Sequence, residues 1–476
     1  MAVPETDGPG PYKGHSGPVI TGCWQLSAGH HGQLDNDETF AGLQRRITLG
    51  MSTLDCGDIY TGVETLIGKF RTSAQHCTPE MRSKIRVHTK LVADFDTLNS
   101  VDAQYVEATL RRSIRRLRQE GPLDLVQFSW WDYKQGDLMG AFEAVAALAS
   151  GSDEREQLVR HVGLTNFDTA TTRRILDTGA PVLSTQVQLS LLDRRVISSG
   201  LTALCADRQV AVFCYGSLAG GLLSDRWLGK PEPAEWSAPM DAETRSLTKY
   251  LLVAREFGTW QLVQSLLAVL RSIADRCVAW ADDGSSSSAS IAQVAVAWVL
   301  QQPGVTSCVI GLPRGAGIPG SQGAHRSEEV LASARIKLGA ADLEAINEVL
   351  SQSSGPSGEF YAMERERDGR HGKIMRYNLS RIGCVEHAGE LVEEWQALSK
   401  ALQDSKGETA AVENPSKLCR QLRWEACYCL KALSEPHAQV APDNVASLKK
   451  QTAVRNLQEL LKWVETADVD KQSGDF

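Results

Sequence analysis

The sequence predicts an α/β protein, a (β/α)8 TIM barrel with an all-helical region appended at its carboxyl end. Short β-branched, apolar runs alternate with longer amphipathic segments, which is typical of repeated βαβ units. Eight such pairs precede about Ser351, and that number indicates a closed parallel barrel. A change of pattern after Ser351 predicts the appended region.

The eight predicted strands are short and separated by turn residues and helical patterns. They are Val19–Trp24, Ser52–Cys56, Ile85–Leu91, Leu123–Trp130, Val159–Asn166, Val182–Leu189, Val210–Ser217 and Thr306–Leu312. Amphipathic helices are predicted between them, for example at Val101–Leu117 and Ala170–Gly179. An open doubly wound sheet is the alternative, but the segment GCWQLSAGHHG after the first strand lacks the glycine-rich turn of that fold.

Two connections depart from equal βα units. Residues Asp225–Gly258 form a long connection rich in Trp, Pro and charge, and we expect it to cover the barrel mouth as a substrate loop. The serine run Ser285–Ser288 is of low complexity and predicts a solvated loop.

The sequence divides into four predicted segments. Residues 1–16 form a flexible N-terminal segment, 17–352 the barrel, 353–383 a linker with a charged stretch, and 384–476 a helical extension. The extension contains three amphipathic patterns, at Cys384–Asp404, Ser416–Leu433 and Asn444–Thr466. Packing is the favoured role of these helices, and contact with another protein is the alternative.

Composition excludes several classes of function. A net charge of −8 without a basic stripe argues against binding to nucleic acid or anionic membrane. The sequence contains no run of eighteen consecutive apolar residues, so no membrane span is predicted. The 11 cysteines lack paired spacing, so we expect reduced thiols and a cytoplasmic protein. Cys427 and Cys429 are the closest pair, and helix packing explains them better than zinc binding, so no metal site is expected.

Polar residues recur where the predicted strands end. In a parallel barrel those carboxyl ends meet at one face, where function resides. The residues are Asp55 with Tyr60 after it, Lys90, Ser129, Thr165 with Asn166, Gln186, and Tyr215 with Ser217.

Four motifs at these positions resemble the aldo-keto reductase family. TLDCGDIYTGVETLIGKF resembles the segment with the catalytic Asp and Tyr, VHTKL the Lys strand, HVGLTNF the Ser/Thr-Asn strand, and CYGSLAGGLL the strand with the stacking Tyr. The resemblance covers Val19 to Leu350 in family order. It implies reversible hydride transfer from NADPH to an aldehyde or ketone, a small-molecule carbonyl substrate.

The resemblance makes Tyr60 the general acid, with Lys90 and Asp55 beside it. Elementary electrostatics supports these roles. A free tyrosine, with a pKa near 10, is a poor acid at neutral pH. A nearby ammonium favours the phenolate, and a carboxylate holds that ammonium in place.

The resemblance also implies the residues that bind NADP(H). Thr165, Asn166 and Gln186 match positions that bond the carboxamide, Tyr215 matches the ring that stacks on nicotinamide, and Ser217 with Leu218 begins the pyrophosphate loop. Trp24, at the end of the first strand, is also placed in the cofactor site. As alternatives, Trp24, Trp130 and Trp131 line an aromatic substrate pocket or pack the rim of the barrel. Arg314 matches the arginine for the 2′-phosphate, and His325, Arg326 and Glu329 match the adenosine side. Relatives usually carry asparagine at the position of Glu329.

The fourth strand departs from the family pattern. Ser129 stands where the family commonly has a histidine that donates to the substrate carbonyl. A serine hydroxyl donates from a shorter stem, through water, and loss of one such donor raises a barrier by about 3 kcal/mol. A very slow or non-catalytic NADPH-binding protein with a regulatory or interaction role is therefore the alternative function. His88 shares the face of Lys90, and a structural role deeper in the barrel is favoured for it.

Overall fold

A computed structural model of the protein describes residues 17–27, 35–93, 95–150, 156–234, 242–280, 286–313, 315–319, 321–376 and 444–466, with 389, 392, 395, 396 and 426. The chain divides into two compact units, Met1–Tyr377 and Asn378–Phe476. The first unit contains the strands.

Eight of the described strands close into the predicted parallel barrel. In chain order the strands are β1 (Val19–Gly22), β2 (Thr53–Asp55), β3 (Arg86–Val92), β4 (Leu123–Ser129), β5 (Val159–Thr165), β6 (Val182–Gln188), β7 (Ala211–Tyr215), β8 (Val278–Trp280), β9 (Ser286–Ser288) and β10 (Val305–Gly311). Around the barrel the order is β1-β10-β7-β6-β5-β4-β3-β2. Because β1 pairs with both β2 and β10, the sheet is closed and the open doubly wound alternative is excluded.

Alternate side chains of the strands fill the barrel interior. The cluster contains Ile20, Leu125, Leu183, Ala211, Phe213 and Val309. His88 is also buried, and its ring stacks on that of Phe213 with the centroids 5.5 Å apart. His88 therefore packs in the barrel core, two residues before Lys90 on the same face of β3.

Helices follow the strands and are capped by their own sequence. In the first unit they are α1 (Asn36–Thr48), α2 (Val63–Arg71), α3 (Pro79–Lys84), α4 (Ala103–Arg116), α5 (Leu138–Ser150), α6 (Thr169–Leu176), α7 (Arg195–Ser198), α8 (Leu201–Asp207), α9 (Ala242–Phe257), α10 (Trp260–Arg276), α11 (Ile291–Leu300), α12 (Gln322–Ala332), α13 (Ala340–Leu350), α14 (Ala362–Arg365) and α15 (Arg370–Arg376). The carboxylates of Asp102 and Asp168 accept backbone N–H groups at the starts of α4 and α6. These helices confirm the two amphipathic helices predicted there.

The serine run is not the loop that its composition predicted. Ser286–Ser288 forms β9, which pairs antiparallel with β8 in a separate two-stranded sheet. The Ala289 N–H donates to the Cys277 carbonyl at 2.9 Å and closes the base of this hairpin. Local backbone pairing here overrides the weak strand propensity of serine.

The connection after β7 is also more ordered than a loop. The segment predicted as Asp225–Gly258 contains a 3-10 turn at Asp225–Trp227 and the 16-residue helix α9. Because α9 presents an apolar face, with Leu251, Val253 and Phe257 buried, tertiary packing stabilises helix over loop.

After α13 the chain continues along the first unit through residues 353–376, which we call the strap. It contains α14 and α15. Phe360 and Glu364 in the strap are fully or almost fully buried. The segment expected to be a linker therefore contains two short helices packed within the first unit.

In the second unit, α16 (Asn444–Thr466) is the described helix, and it confirms the third predicted pattern. Ala453, Leu457 and Leu460 form its buried face, and the rings of Trp395 and Trp463 lie 6.2 Å apart. Apart from a few single residues, the other two predicted helices lie outside the described residues.

Candidate active site at the barrel mouth

A buried ion pair lies at the carboxyl ends of β2 and β3. Lys90 Nζ is 2.6 Å from Asp55 Oδ1 and also donates to the Cys56 carbonyl at 2.8 Å. Both side chains are about 95% buried, with 5% and 4% of their surface exposed. Burial opposes the charge on the ammonium, but Asp55 and Tyr60 outweigh it, so the pKa of Lys90 is raised.

The second oxygen of the carboxylate is bound by two amides. Gln127 on β4 and Gln186 on β6 donate from Nε2 to Asp55 Oδ2 at 2.9 and 2.7 Å. Gln186 also donates to Gln127 Oε1 at 3.0 Å. Sequence reasoning missed Gln127, although it lies two residues before Ser129 and therefore on the same face of its strand.

Tyr60 lies in the turn between β2 and α2, and its ring faces the ion pair. Lys90 Nζ is 4.7 Å from the ring centroid. The Tyr60 N–H donates to the Gly57 carbonyl at 3.0 Å, which holds the turn. Burial raises the pKa of Tyr60, and the Lys90 ammonium opposes that rise. The structure thus brings Asp55, Tyr60 and Lys90 together.

Ser129 ends β4 at the same mouth and is buried at 6% exposure, in register with Val92. The two tryptophans after it differ in role. Trp130 donates from Nε1 to the carbonyls of Asp132 and Gln135, so it packs the loop after β4. Trp131 lies with its ring 6.3 Å from that of Tyr361 in the strap.

The polar residues at the ends of β5, β6 and β7 also meet. Tyr215 Oη donates to Asn166 Oδ1 at 2.8 Å, and Thr165 Oγ1 donates to the Gln186 carbonyl at 3.1 Å. Asn166 has a φ of 62°, in the left-handed region of backbone conformation. These amide and hydroxyl groups suit the carboxamide of a nicotinamide ring, and Tyr215 suits its ring.

The loop after β7 is closed by its own bonds. Ser217 Oγ donates to the Cys214 carbonyl at 3.2 Å, and the Leu218 carbonyl accepts from Gly221 and Leu223 N–H. Lys249 of α9, which sequence reasoning did not single out, lies over the ring of Tyr215 with Nζ 5.0 Å from its centroid. The ring of Trp24 is 5.7 Å from the same nitrogen.

Arg314, His325 and Glu329 are three of the residues predicted to bind the 2′-phosphate and the adenosine side of the cofactor. Arg314 lies outside the described residues. His325 is exposed on α12. Glu329 accepts a hydrogen bond from Ser290 at the start of α11, so its carboxylate is engaged there.

The strap supplies groups that sequence reasoning missed. Arg365 donates to the Asn166 carbonyl, and its guanidinium carbon is 4.2 Å from the centroid of Tyr133. Arg195 makes 2.8 Å ion pairs with Asp193 and with Glu364 of the strap. Little in the sequence indicated this anchor, because Arg195 and Glu364 are separated by 169 positions.

Among the described residues, no cluster of His, Cys, Asp and Glu could hold a metal ion. In the same part of the chain, no helix has the length and apolar character that crossing a bilayer requires.

A profile of the aldo/keto reductase family matches residues 18–351. Flagellar radial spoke protein 5 of Chlamydomonas reinhardtii is 31% identical over 166 residues, which are 33% of this chain and 31% of that protein. The L-glyceraldehyde 3-phosphate reductase of Escherichia coli K12 is 24% identical over 216 residues, 44% of this chain and 55% of that enzyme. The matches therefore span a third to a half of the length of these curated relatives.

A solved structure shows the same fold. A glycerol dehydrogenase of Gluconobacter oxydans is 21% identical, with a TM-score of 0.52, and the match covers 75% of this chain and 98% of that one. An aldo-keto reductase from Klebsiella pneumoniae, solved in complex with NADPH, is 19% identical with a TM-score of 0.47, covering 70% of this chain and 91% of the other.

Proposed function

Since the chain belongs to the aldo/keto reductase family, we propose that it reduces an aldehyde or ketone with NADPH, with Tyr60 as general acid. One observation carries this proposal. A phenol, an ammonium and a carboxylate from β2, β3 and the turn after β2 lie together at the barrel mouth, with Lys90 Nζ 2.6 Å from Asp55 and 4.7 Å from the Tyr60 ring.

Each residue of this triad has a separate task. Tyr60 gives its proton to the carbonyl oxygen as negative charge develops there. Lys90 lowers the energy of the phenolate that remains. Asp55, held by Gln127 and Gln186, keeps the ammonium of Lys90 in place.

The residues for the dinucleotide fit it in chemical type. When bound, NADPH supplies the hydride. Thr165, Asn166 and Gln186 would hold the carboxamide, Tyr215 and Trp24 would contact the ring, and Ser217 and Leu218 would begin the pyrophosphate site; Arg314, His325 and Glu329 belong to the adenosine side of this proposal. The described position of α9, with Lys249 over Tyr215, must change before the ring can stack there.

Ser129 is the proposed substrate donor in place of histidine. The Ser129 side chain is shorter than that of histidine and is buried at the mouth, so we expect a water molecule to bridge its hydroxyl to the substrate carbonyl. The missing direct donor predicts a slow enzyme.

The test is NADPH oxidation with a panel of aldehydes. We expect Tyr60→Phe to lower kcat by about a hundredfold or more, because general acid catalysis typically contributes that much. Tyr105→Phe is the matched control, since it removes a hydroxyl from α4, a helix that supplies no residue of the triad, and should leave the rate unchanged. Undiminished activity of Tyr60→Phe would remove this residue from the mechanism.

A second candidate is a non-catalytic, NADPH-binding protein with a regulatory or interaction role. Ser129, the placement of Lys249 and the similarity to a flagellar radial spoke protein favour it. Tight NADPH binding without turnover in the wild type would support it. A large gain of activity in Ser129→His would instead identify the missing donor as the limit on catalysis.

We also propose a cytoplasmic location, because the described cysteines are unpaired and most are buried. Contact with another protein through the helices predicted after residue 384 remains part of the second candidate function.

A further inference from the structure

Helix α9 lies directly against the loop after β7. A Cβ placed on Gly216 would be 2.5 Å from Tyr250 Oη, and one on Gly220 would be 2.8 Å from the Ser246 carbonyl oxygen. Such distances leave no layer for another group between helix and loop at these two residues. In the described structure, α9 therefore packs directly on the loop that the proposed function assigns to the pyrophosphate.

The same helix places a cation on the proposed nicotinamide site. Lys249 is 6% exposed, and its Nζ lies 5.0, 4.9 and 5.7 Å from the ring centroids of Tyr215, Tyr250 and Trp24. Aromatic faces attract an ammonium most strongly when water is excluded. Because Trp24 follows β1 and Tyr215 ends β7, the ammonium lies between the two aromatic residues expected to contact the ring.

The strap packs on α9. Ser353 Oγ donates to the Phe257 carbonyl at 2.6 Å, and His371 Nε2 lies 3.8 Å from Glu256 Oε1. The strap itself is anchored by the 2.8 Å ion pair of Glu364 with the fully buried Arg195. These contacts stabilise the closed position of α9.

We propose that α9 is an internal competitor for the dinucleotide site, with Lys249 and NADPH excluding each other from the face of Tyr215. This inference rests on the proposed function, whose cofactor it regulates. Only the fraction of molecules with α9 displaced binds NADPH, and the apparent Kd is weakened in proportion to that fraction. Loosening of the strap would increase this fraction, so the strap acts as the latch of the site.

The first test compares NADPH binding by full-length Lys249→Met and wild type, using quenching of tryptophan fluorescence. Methionine keeps the volume but loses the cation, so we expect the Kd to fall by about tenfold. Lys84→Met removes one positive charge from an exposed i,i+4 pair and should bind like wild type. An unchanged or weaker Kd in Lys249→Met, or no binding to either protein, would overturn the inference.

The second test follows backbone amide exchange in the wild type with and without NADPH. Displacement predicts faster exchange across residues 246–256 when NADPH is bound, the reverse of ordinary ligand protection. Protection of this helix by NADPH would contradict the inference. Tighter binding and faster exchange without carbonyl turnover would refute the proposed reductase activity while leaving the competition by α9 intact.

Discussion

At the residue scale, Asp55 determines the geometry of the triad because both its oxygens are bound. Lys90 binds one oxygen, and Gln127 and Gln186 bind the other. A buried charge is stable only when it is paired and hydrogen-bonded. This network fixes the Lys90 ammonium beside the Tyr60 ring and so sets the titration of the phenol.

The titration of Tyr60 predicts opposite pH profiles for the two directions of reaction. Burial raises the pKa of Tyr60 above its ordinary value near 10, so the phenol stays protonated and carbonyl reduction should be level from about pH 6 and fall only above about pH 10. Alcohol oxidation needs the phenolate and should rise with pH. Lys90→Met removes the cation that opposes the rise in pKa, so the oxidation limb should move to higher pH. If initial-rate measurements show the oxidation limb at the same pH in Lys90→Met and wild type, Lys90 does not influence the pKa of Tyr60.

Asp58 predicts a pH-dependent stability. Burial, and then the charge of Glu64, raises the pKa of the Asp58 carboxyl from 3.8 to about 7. Between these two values the folded protein holds a proton that the unfolded chain has released. The contribution to stability is therefore complete below about pH 4 and lost as pH rises through about 7.

We expect Asp58→Asn to abolish this dependence. The free energy of unfolding in urea should fall from pH 5 to pH 8 by about 2 kcal/mol more in the wild type than in the variant, since one pKa unit corresponds to about 1.4 kcal/mol and solvent access reduces the effect. Glu156→Gln, at an exposed carboxylate, is the control. Equal slopes in wild type and Asp58→Asn would contradict the assignment.

The residues of the triad could be predicted because strand ends and motif order point to them directly. Gln127 and Lys249 could not. A polar residue inside a strand is indistinguishable from packing until its partner is known, and a lysine on a helix is usually exposed. The predicted adenosine-side role of Glu329 stays a prediction, and its bond to Ser290 engages the carboxylate elsewhere.

At the element scale, the strap shows how tertiary contacts define helices too short for periodicity. The helices α14 and α15 have four and seven residues, fewer than an isolated helix needs in water. Glu364, Phe360 and Ser353 provide the contacts that hold them. Helix α9 was predicted as a loop for a related reason, since its surroundings rather than its composition stabilise it.

We expect Glu364→Ala to release the strap without unfolding the barrel. The change leaves Arg195 with Asp193 alone in a buried site and should lower the free energy of unfolding by about 2 kcal/mol. Amide exchange should increase within residues 356–376 and, through the latch, within α9. Glu359→Ala, at an exposed strap carboxylate, should change neither quantity. Unchanged exchange in the strap of Glu364→Ala would show that the ion pair does not anchor it.

At the scale of the whole molecule, the closed barrel was predictable from the sequence. Eight regular strand–helix patterns without a glycine-rich first turn favour closure into a barrel over an open doubly wound sheet. The boundary between the two units lies after Tyr377, within the segment 353–383 that was expected to be a linker with a charged stretch. Composition marks the end of a repeat, whereas the unit boundary depends on contacts made by the strap.

This division predicts what happens when the chain is shortened. A protein ending at Tyr377 retains the triad, α9 and the strap. Its unfolding temperature should therefore equal that of the first unit in the full chain, and its affinity for NADPH should be the same. A protein ending at Gln352 lacks the strap and should unfold at a lower temperature and bind NADPH more tightly, because the contacts of α9 with Ser353 and His371 are gone.

The same pair of proteins tests the role of the second unit. If its helices contact another protein or another copy of the chain, sedimentation should show a change of oligomeric state or loss of the partner on removal of residues 378–476, with the barrel unit still folded. An identical oligomeric state and partner set would assign those helices to packing alone. Aggregation of the protein ending at Tyr377 would contradict the division itself, since the first unit would then need the second to cover its apolar surface.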